Sequence, residues 1–290
     1  MNTGSLPITY DERDDQFTQI AFGAVAAPVF PKTLGRQRRA VKDQDGSQSC
    51  TSQTTTLASE YQENVELSAE WHWMETCRKL NNFIPNGADP RTAMGISKEW
   101  GDIPRELAPF KFPVDNPQII GNWNEWDNLS APEAMRKAAE IHKKAAYVKI
   151  PYVKDYFDSI RAALVNGKDN GTVVMAFGTW YTEWYETFVP KVYSNFYGYH
   201  AYTFVDFDTK DGVECLVAQN SWGKSHGDGG FQYFPRETIN KEFAKWGTGL
   251  YVFIDLTEEQ ISRAKEVGIG GDIQRAIIRI WEKLMLLLNV

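Results

Sequence analysis

A change of periodicity near the middle of the chain restricts its fold more than any other property. Before residue 170 the apolar residues recur at helical spacing. From residue 50 to about 64, Leu57, Ala58 and Tyr61 lie three and four apart. Ser68 then suits the N-cap of a second helix with Trp71, Met74 and Cys77 on one side. The spacing predicts a third helix over about 91–100 after the loop 85–90, a fourth over 131–146 with Pro132 in its first turn, and a fifth over about 154–166. Beyond residue 170, β-branched and aromatic runs take over at 171–177, 201–207, 213–218, 231–234 and 249–254. A helical half followed by a strand-rich half implies an α+β fold rather than alternating α/β units.

The chain's 290 residues, 42% of them hydrophobic, suffice for a substantial soluble core. A net charge of −7 argues against nucleic acid, which needs a cationic face. No apolar run is long enough for an ordinary membrane span. Three cysteines (Cys50, Cys77, Cys215) cannot make a disulfide framework, and residues 1–15 lack the basic start of a secretory signal. The expected setting is therefore the cytoplasm or another reducing compartment, with no disulfide formed. Four histidines, without Cys-x-x-Cys or His-Glu-x-x-His, give no zinc pattern, and no phosphate-cradling glycine loop occurs; no metal or cofactor is expected. Cys77 and Cys215 read as core thiols, His72 and His142 as solvated residues on charged helices, and the aromatic run 180–185 as packing rather than a subsite.

Cys50 follows a polar loop, Gln44-Asp45-Gly46-Ser47-Gln48-Ser49, and opens the first helix. Orphan N–H groups and the positive end of the helix dipole favour thiolate there, as a nucleophile requires; the alternative is a small buried hydrophobe. The runs 201–207 and 213–218 flank an Asp211-Gly212 hairpin turn. Folding about residue 210 makes His200 and Asn220 near cross-strand neighbours. Asn220 can then fix the imidazole's tautomer, and Trp222 can cover the bond from water.

These blocks resemble the papain-like cysteine peptidases. The Gln44-to-Cys50 segment is similar to the family's oxyanion-hole and nucleophile segment, Gly198-Tyr199-His200-Ala201 to its histidine strand, and Asn220-Ser221-Trp222-Gly223 to its asparagine segment. Asn86-Gly87-Ala88-Asp89-Pro90 resembles the loop lining the non-primed subsites, and Pro109-Phe110 the Tyr-Pro-Tyr turn. The resemblance implies a helical lobe and a β-barrel lobe facing across a cleft, within a peptidase domain over 31–255. It implies Cys50 as nucleophile, His200 as base, Asn220 as orienter, Gln44 in the oxyanion hole, Gly87, Ala88 and Trp222 at the substrate, and a peptide or protein as substrate. A catalytically weakened peptide-binding or structural protein is the alternative. Ser47 stands where the family has a disulfide cysteine, Thr51 for an aromatic residue, Tyr199 for a small or acidic neighbour of the histidine, and His226 for a second Trp. Ala88 stands for a usual Gly, which implies restricted backbone approach of a ligand.

The resemblance leaves the ends unexplained. Residues 1–30 read as an extended arm, shorter than the family's usual inhibitory propeptide, and imply no conventional zymogen control. In 256–290 an amphipathic helix is expected, with Ile273, Ile277, Ile280, Leu284 and Leu287 on one stripe and only Arg275, Arg279 and Lys283 supplying positive charge. The stripe suits docking on the catalytic domain, or self-association or a protein partner through 272–290, and is less suited to a membrane surface.

Overall fold

In the computed structural model the first helix starts at Cys50, immediately after a tight turn in which Asp45 and Gly46 both take positive φ (49° and 73°). The structure describes residues 3–9, 11, 30–82, 86–107, 132–150, 155–191 and 195–254. The Pro109-Phe110 turn, most of the arm 1–30 and the expected C-terminal helix of 256–290 lie outside the described residues.

Helix α1 (Cys50–Glu63) ends where Asn64 turns left-handed and returns its N–H to Glu60. Helix α2 (Ala69–Lys79) is capped by Ser68, whose Oγ accepts the Trp71 N–H, and α3 (Pro90–Glu99) by Asp89 with Pro90 in its first turn. The fourth helix is shorter than its pattern predicts. α4 (Pro132–Ala139) passes into a 3₁₀ turn at 140–142, and the next residues form strand β1 (Ala146–Lys149). The alternation of Tyr147 and Val148 within a pairing strand outcompetes helical spacing there. Helix α5 (Tyr156–Asn166) follows. Strands β2 (Val174–Tyr181), β3 (Phe196–Lys210), β4 (Val213–Gln219) and β5 (Phe231–Pro235) come next, then helix α6 (Arg236–Phe243) and strand β6 (Gly249–Ile254).

The six strands form one antiparallel sheet in the order β1-β6-β2-β3-β4-β5. The sheet is open, with β1 and β5 at its edges, and does not close into the expected barrel. Both faces are covered. Residues Ala176, Trp180, Tyr202, Leu216 and Phe234 pack with Phe157, Ile160, Ile239 and Phe243 of α5 and α6. Residues Met175, Phe177, Ala201, Val205 and Val217 pack with Cys50, Leu57, Ala58 and Tyr61 of α1. This explains why β2 is buried along its whole length instead of alternating. A third cluster, built on Trp71, Trp73, Met74, Cys77 and Ile96, is the core of the helical half.

All three cysteines are free, and Cys77 and Cys215 are core thiols as expected. The two helical histidines are not solvated. His72 is fully buried, with Asp102 3.8 Å from its Nε2 and burial holding its pKa down, and His142 is hydrogen-bonded to Glu63. Both sit on faces that turn inward toward neighbouring helices, which charge content alone does not reveal.

Candidate active site

Two loops bring the sequence-predicted residues together. Gln44 N–H donates to Ser221 O (2.8 Å), Gly223 N–H to Lys42 O (3.0 Å), and Asp43 forms a bridge with Trp222. The turn before Cys50 is thereby stitched to the segment after β4. The Gln44 amide is held at both ends: Nε2 donates to Ser47 O and Oε1 accepts from Ser221 Oγ (2.7 Å).

His200 lies within β3, directly across from Gly178 of β2 rather than from Asn220. The β3–β4 register runs from Lys210–Val213 to Thr203–Gln219 and slips at a bulge between Phe204 and Asp206. Asn220 therefore comes one step past the last pair, two residues diagonal from His200 and on the same face. The diagonal is short enough: Nε2 of His200 is 3.0 Å from Oδ1 of Asn220. Trp222 stacks on the imidazole at 4.1 Å between centroids and 14° between planes, while Trp180 meets it edge-on at 4.9 Å. Trp180, read from sequence as packing, is core; it is also a wall of the histidine's pocket.

Cys50 is fully buried, and its sulfur faces the backbone N–H of Ala201, the residue after His200. Its second amide comes from the arm. Gly4 N–H donates to Cys50 Sγ at 3.2 Å. Residues 3–8 lie between two rails, bridged to both at Ser5. Ser5 N–H reaches Tyr199 O (3.3 Å), Ala88 N–H reaches Gly4 O and Leu6 N–H reaches Ala88 O (both 2.9 Å), and Ile8 N–H reaches Gly247 O (2.9 Å). The contact is close enough to demand glycine: a Cβ on Gly4 would sit 1.9 Å from Gln48 O, and one on Gly87, whose φ is +106°, 2.6 Å from Gly4 O. Ala88's methyl group does not keep the arm's own backbone away, because its N–H and C=O face Gly4 and Leu6.

Burial decides the protonation state in this covered arrangement. It pushes the Cys50 thiol up to about 12, outweighing the backbone N–H groups of Ala201, Gly4 and Thr51 that favour thiolate. It also pulls His200 down to about 3, against the hydrogen bond that His200 donates to Asn220. Burial thus favours a neutral Cys50 thiol and a neutral His200 imidazole, against the thiolate expected from the helix N-terminus. Among the described residues, Nδ1 of His200 has no hydrogen-bond partner.

A family model for papain family cysteine proteases matches residues 34–246. The chain belongs to the papain family. A search of curated protein sequences finds no match. Among solved structures, xylellain, a cysteine protease from Xylella fastidiosa, aligns over 88% of this chain and 97% of its own, with TM-score 0.70 and 18% identity. Procathepsin B S9 from Trypanosoma congolense aligns over 86% and 85%, with TM-score 0.56 and 17% identity. The bromelain protease from Ananas comosus, solved with the E64 inhibitor, aligns over 78% and 100%, with TM-score 0.56 and 12% identity. At these identities the structural likeness speaks for the papain fold. Within that fold, sequence reasoning missed Gly4 and also Gln232, a fully buried residue whose Oε1 accepts from Asn220 Nδ2 at 3.3 Å. Gly4 reaches the sulfur from 46 positions away, and Gln232 lies inside a strand whose neighbours are aromatic.

Proposed function

We propose that this protein is a cysteine endopeptidase that cleaves peptide bonds through a thioester, with residues 31–255 as its catalytic domain. One observation carries the reading. His200 is held through Nε2 by Asn220 beneath Trp222, which leaves Nδ1 unpartnered at the strand position whose next amide faces Cys50 at a helix N-terminus. In the reaction, Nδ1 takes the proton from Cys50 Sγ and the thiolate attacks the substrate carbonyl carbon. The resulting oxyanion is stabilised by Gln44 Nε2 and the Cys50 N–H, typically about 3–4 kcal/mol per donor. Nδ1 then gives its proton to the leaving amine as the C–N bond breaks. Water, deprotonated by Nδ1, hydrolyses the thioester and restores the thiol.

Residues 4–6 indicate how the trough engages an extended peptide, since both backbone groups of Ala88 already bond to one. A substrate must take their place, and doing so admits solvent to Cys50 and His200. The covered thiol, pushed up to about 12, favours a second reading, a papain-fold peptide-binding protein with weak or no turnover. A peptide-library cleavage screen on purified protein under reducing conditions decides between them. The peptidase reading expects cleavage that Cys50→Ala abolishes. Cleavage that survives Cys50→Ala sinks the assignment, and peptide binding without cleavage supports the second reading.

A further inference from the structure

Strand β5 carries Gln232 between Phe231 and Tyr233, and its side chain is fully buried. A buried amide must place two N–H donors and one carbonyl oxygen, so its neighbours dictate which way round it sits. One terminal atom of Gln232 lies 2.8 Å from Trp184 O and 2.9 Å from Thr187 O, at the end of the 3₁₀ turn Thr182–Glu186. Backbone carbonyls only accept, so that atom is the NH₂ group. Oε1 then faces the opposite way, where Asn220 Nδ2 (3.3 Å) and His226 Nε2 (3.1 Å) donate to it. With Nδ2 committed to Gln232, Asn220 turns Oδ1 toward His200 Nε2 (3.0 Å) and the Ser221 N–H (2.8 Å). An oxygen at that place requires hydrogen on Nε2, and the lone pair of the neutral ring falls on Nδ1.

We propose that Gln232 is a positioning residue. It relays the polarity of the Trp184 and Thr187 carbonyls through Asn220 to His200, selecting the tautomer whose free nitrogen is Nδ1. The inference rests on the reading of His200 as the base, and it gives His226 a role as the second donor that fills the Gln232 oxygen. All four hydrogen-bonding places of Gln232 are used: two N–H donated and two bonds accepted. Such a network is stiff because flipping either amide opposes donor to donor and acceptor to acceptor. The Ser221 N–H is a second hold on Asn220, so losing Gln232 loosens the relay without abolishing it.

The test reads the tautomer directly by ¹⁵N NMR of histidine-labelled full-length protein, with the His200 signals assigned by their loss in His200→Ala. The wild-type protein is expected to carry its proton on Nε2 of His200. Gln232→Met is expected to raise the Nδ1–H fraction and to lower kcat about fivefold, the worth of one buried hydrogen bond, with KM unchanged. In an Asn220→Ala background the same change should cost less than about twofold, because the relay is already cut. A wild-type His200 protonated on Nδ1, a tautomer that Gln232→Met leaves unmoved, or full multiplication of the two effects would overturn the proposal. Reading the wild-type tautomer requires His200→Ala for assignment but no Gln232 variant to fold. An Nε2–H tautomer lost in Gln232→Met supports the relay even in a protein that hydrolyses nothing, an outcome that would count against the peptidase reading alone.

Discussion

His200 meets Asn220 along its edge, Trp222 on its face and Trp180 across its side, and each contact does different work. The rings exclude water, whereas Asn220 alone can tell one ring nitrogen from the other. In the proposed reaction the charged imidazolium gains most from that bond, since hydrogen bonds to charged groups are worth about 1.5–3 kcal/mol. Asn220→Ala should therefore lower kcat by about ten- to a hundredfold while leaving measurable turnover, and His200→Ala should eliminate it. Steady-state kinetics on one peptide substrate checks both, and equal losses would contradict the division of labour. Cys77→Ala and Cys215→Ala, each emptying a site in an apolar cluster, should instead lower the unfolding free energy by about 1 kcal/mol and spare kcat. The nearness of His200 and Asn220 was legible in the sequence because the Asp211-Gly212 turn fixes a hairpin that folds β4 back along β3. The diagonal offset was not: the ladder begins at the Lys210–Val213 pair, and the slip between Phe204 and Asp206 then brings Asn220 to the same face as His200, two residues along. Asp206, at the slip, accepts the N–H groups of Leu34 (2.9 Å) and Arg36 (3.2 Å), long-range partners that the local pattern does not announce.

At the scale of elements, the arm segment of residues 3–8 is the least legible part of the site. Helices α1 to α3 announce themselves by caps and apolar spacing, and the β-runs by composition. A short Gly-Ser-Leu-Pro-Ile segment has neither, and its conformation is imposed by the rails on which it lies. The expectation of a barrel failed for a related reason: strand runs can be counted in a sequence, but closure depends on pairing between β1 and β5, which stand at opposite edges. The arm's fit gives a sharp prediction. Gly4→Val introduces a Cβ where Gln48 O lies 1.9 Å away, so residues 3–6 must leave the trough. The rate of Cys50 alkylation by a small thiol reagent should rise about tenfold or more, equivalent to ~1.4 kcal/mol of lost closure. An unchanged rate, read by mass spectrometry of the modified peptide, would show that the arm does not limit access.

For the whole molecule, the buried titratable groups set a stability window. Burial holds His72, His200 and His226 below the ordinary histidine value of 6.5. They stay neutral in the fold but bind protons once unfolded, so the stability they contribute above pH 6.5 is lost as pH falls. Cys50, Cys215 and Tyr61 are pushed up, to about 12, 11 and 12, and stay protonated in the fold. For the two thiols, the contribution present below the ordinary value of 9.0 is lost as pH rises through it. The unfolding free energy should be flat between about pH 6.5 and 9 and fall on both sides, by at most about 1.4 kcal/mol per pH unit per group, with the thermal midpoint following it. A midpoint that rises from pH 7 to pH 5 would refute this. The central claim is that Cys50 is a nucleophile served by His200. Incubation of full-length protein and its Gly4→Val variant with a peptidyl epoxide, followed by mass-spectrometric mapping, tests it most directly. The account predicts a single adduct on Cys50, formed faster in Gly4→Val and lost in His200→Ala. An adduct rate at Cys50 that is indifferent to His200, or no faster than that of Cys77 and Cys215, would contradict it.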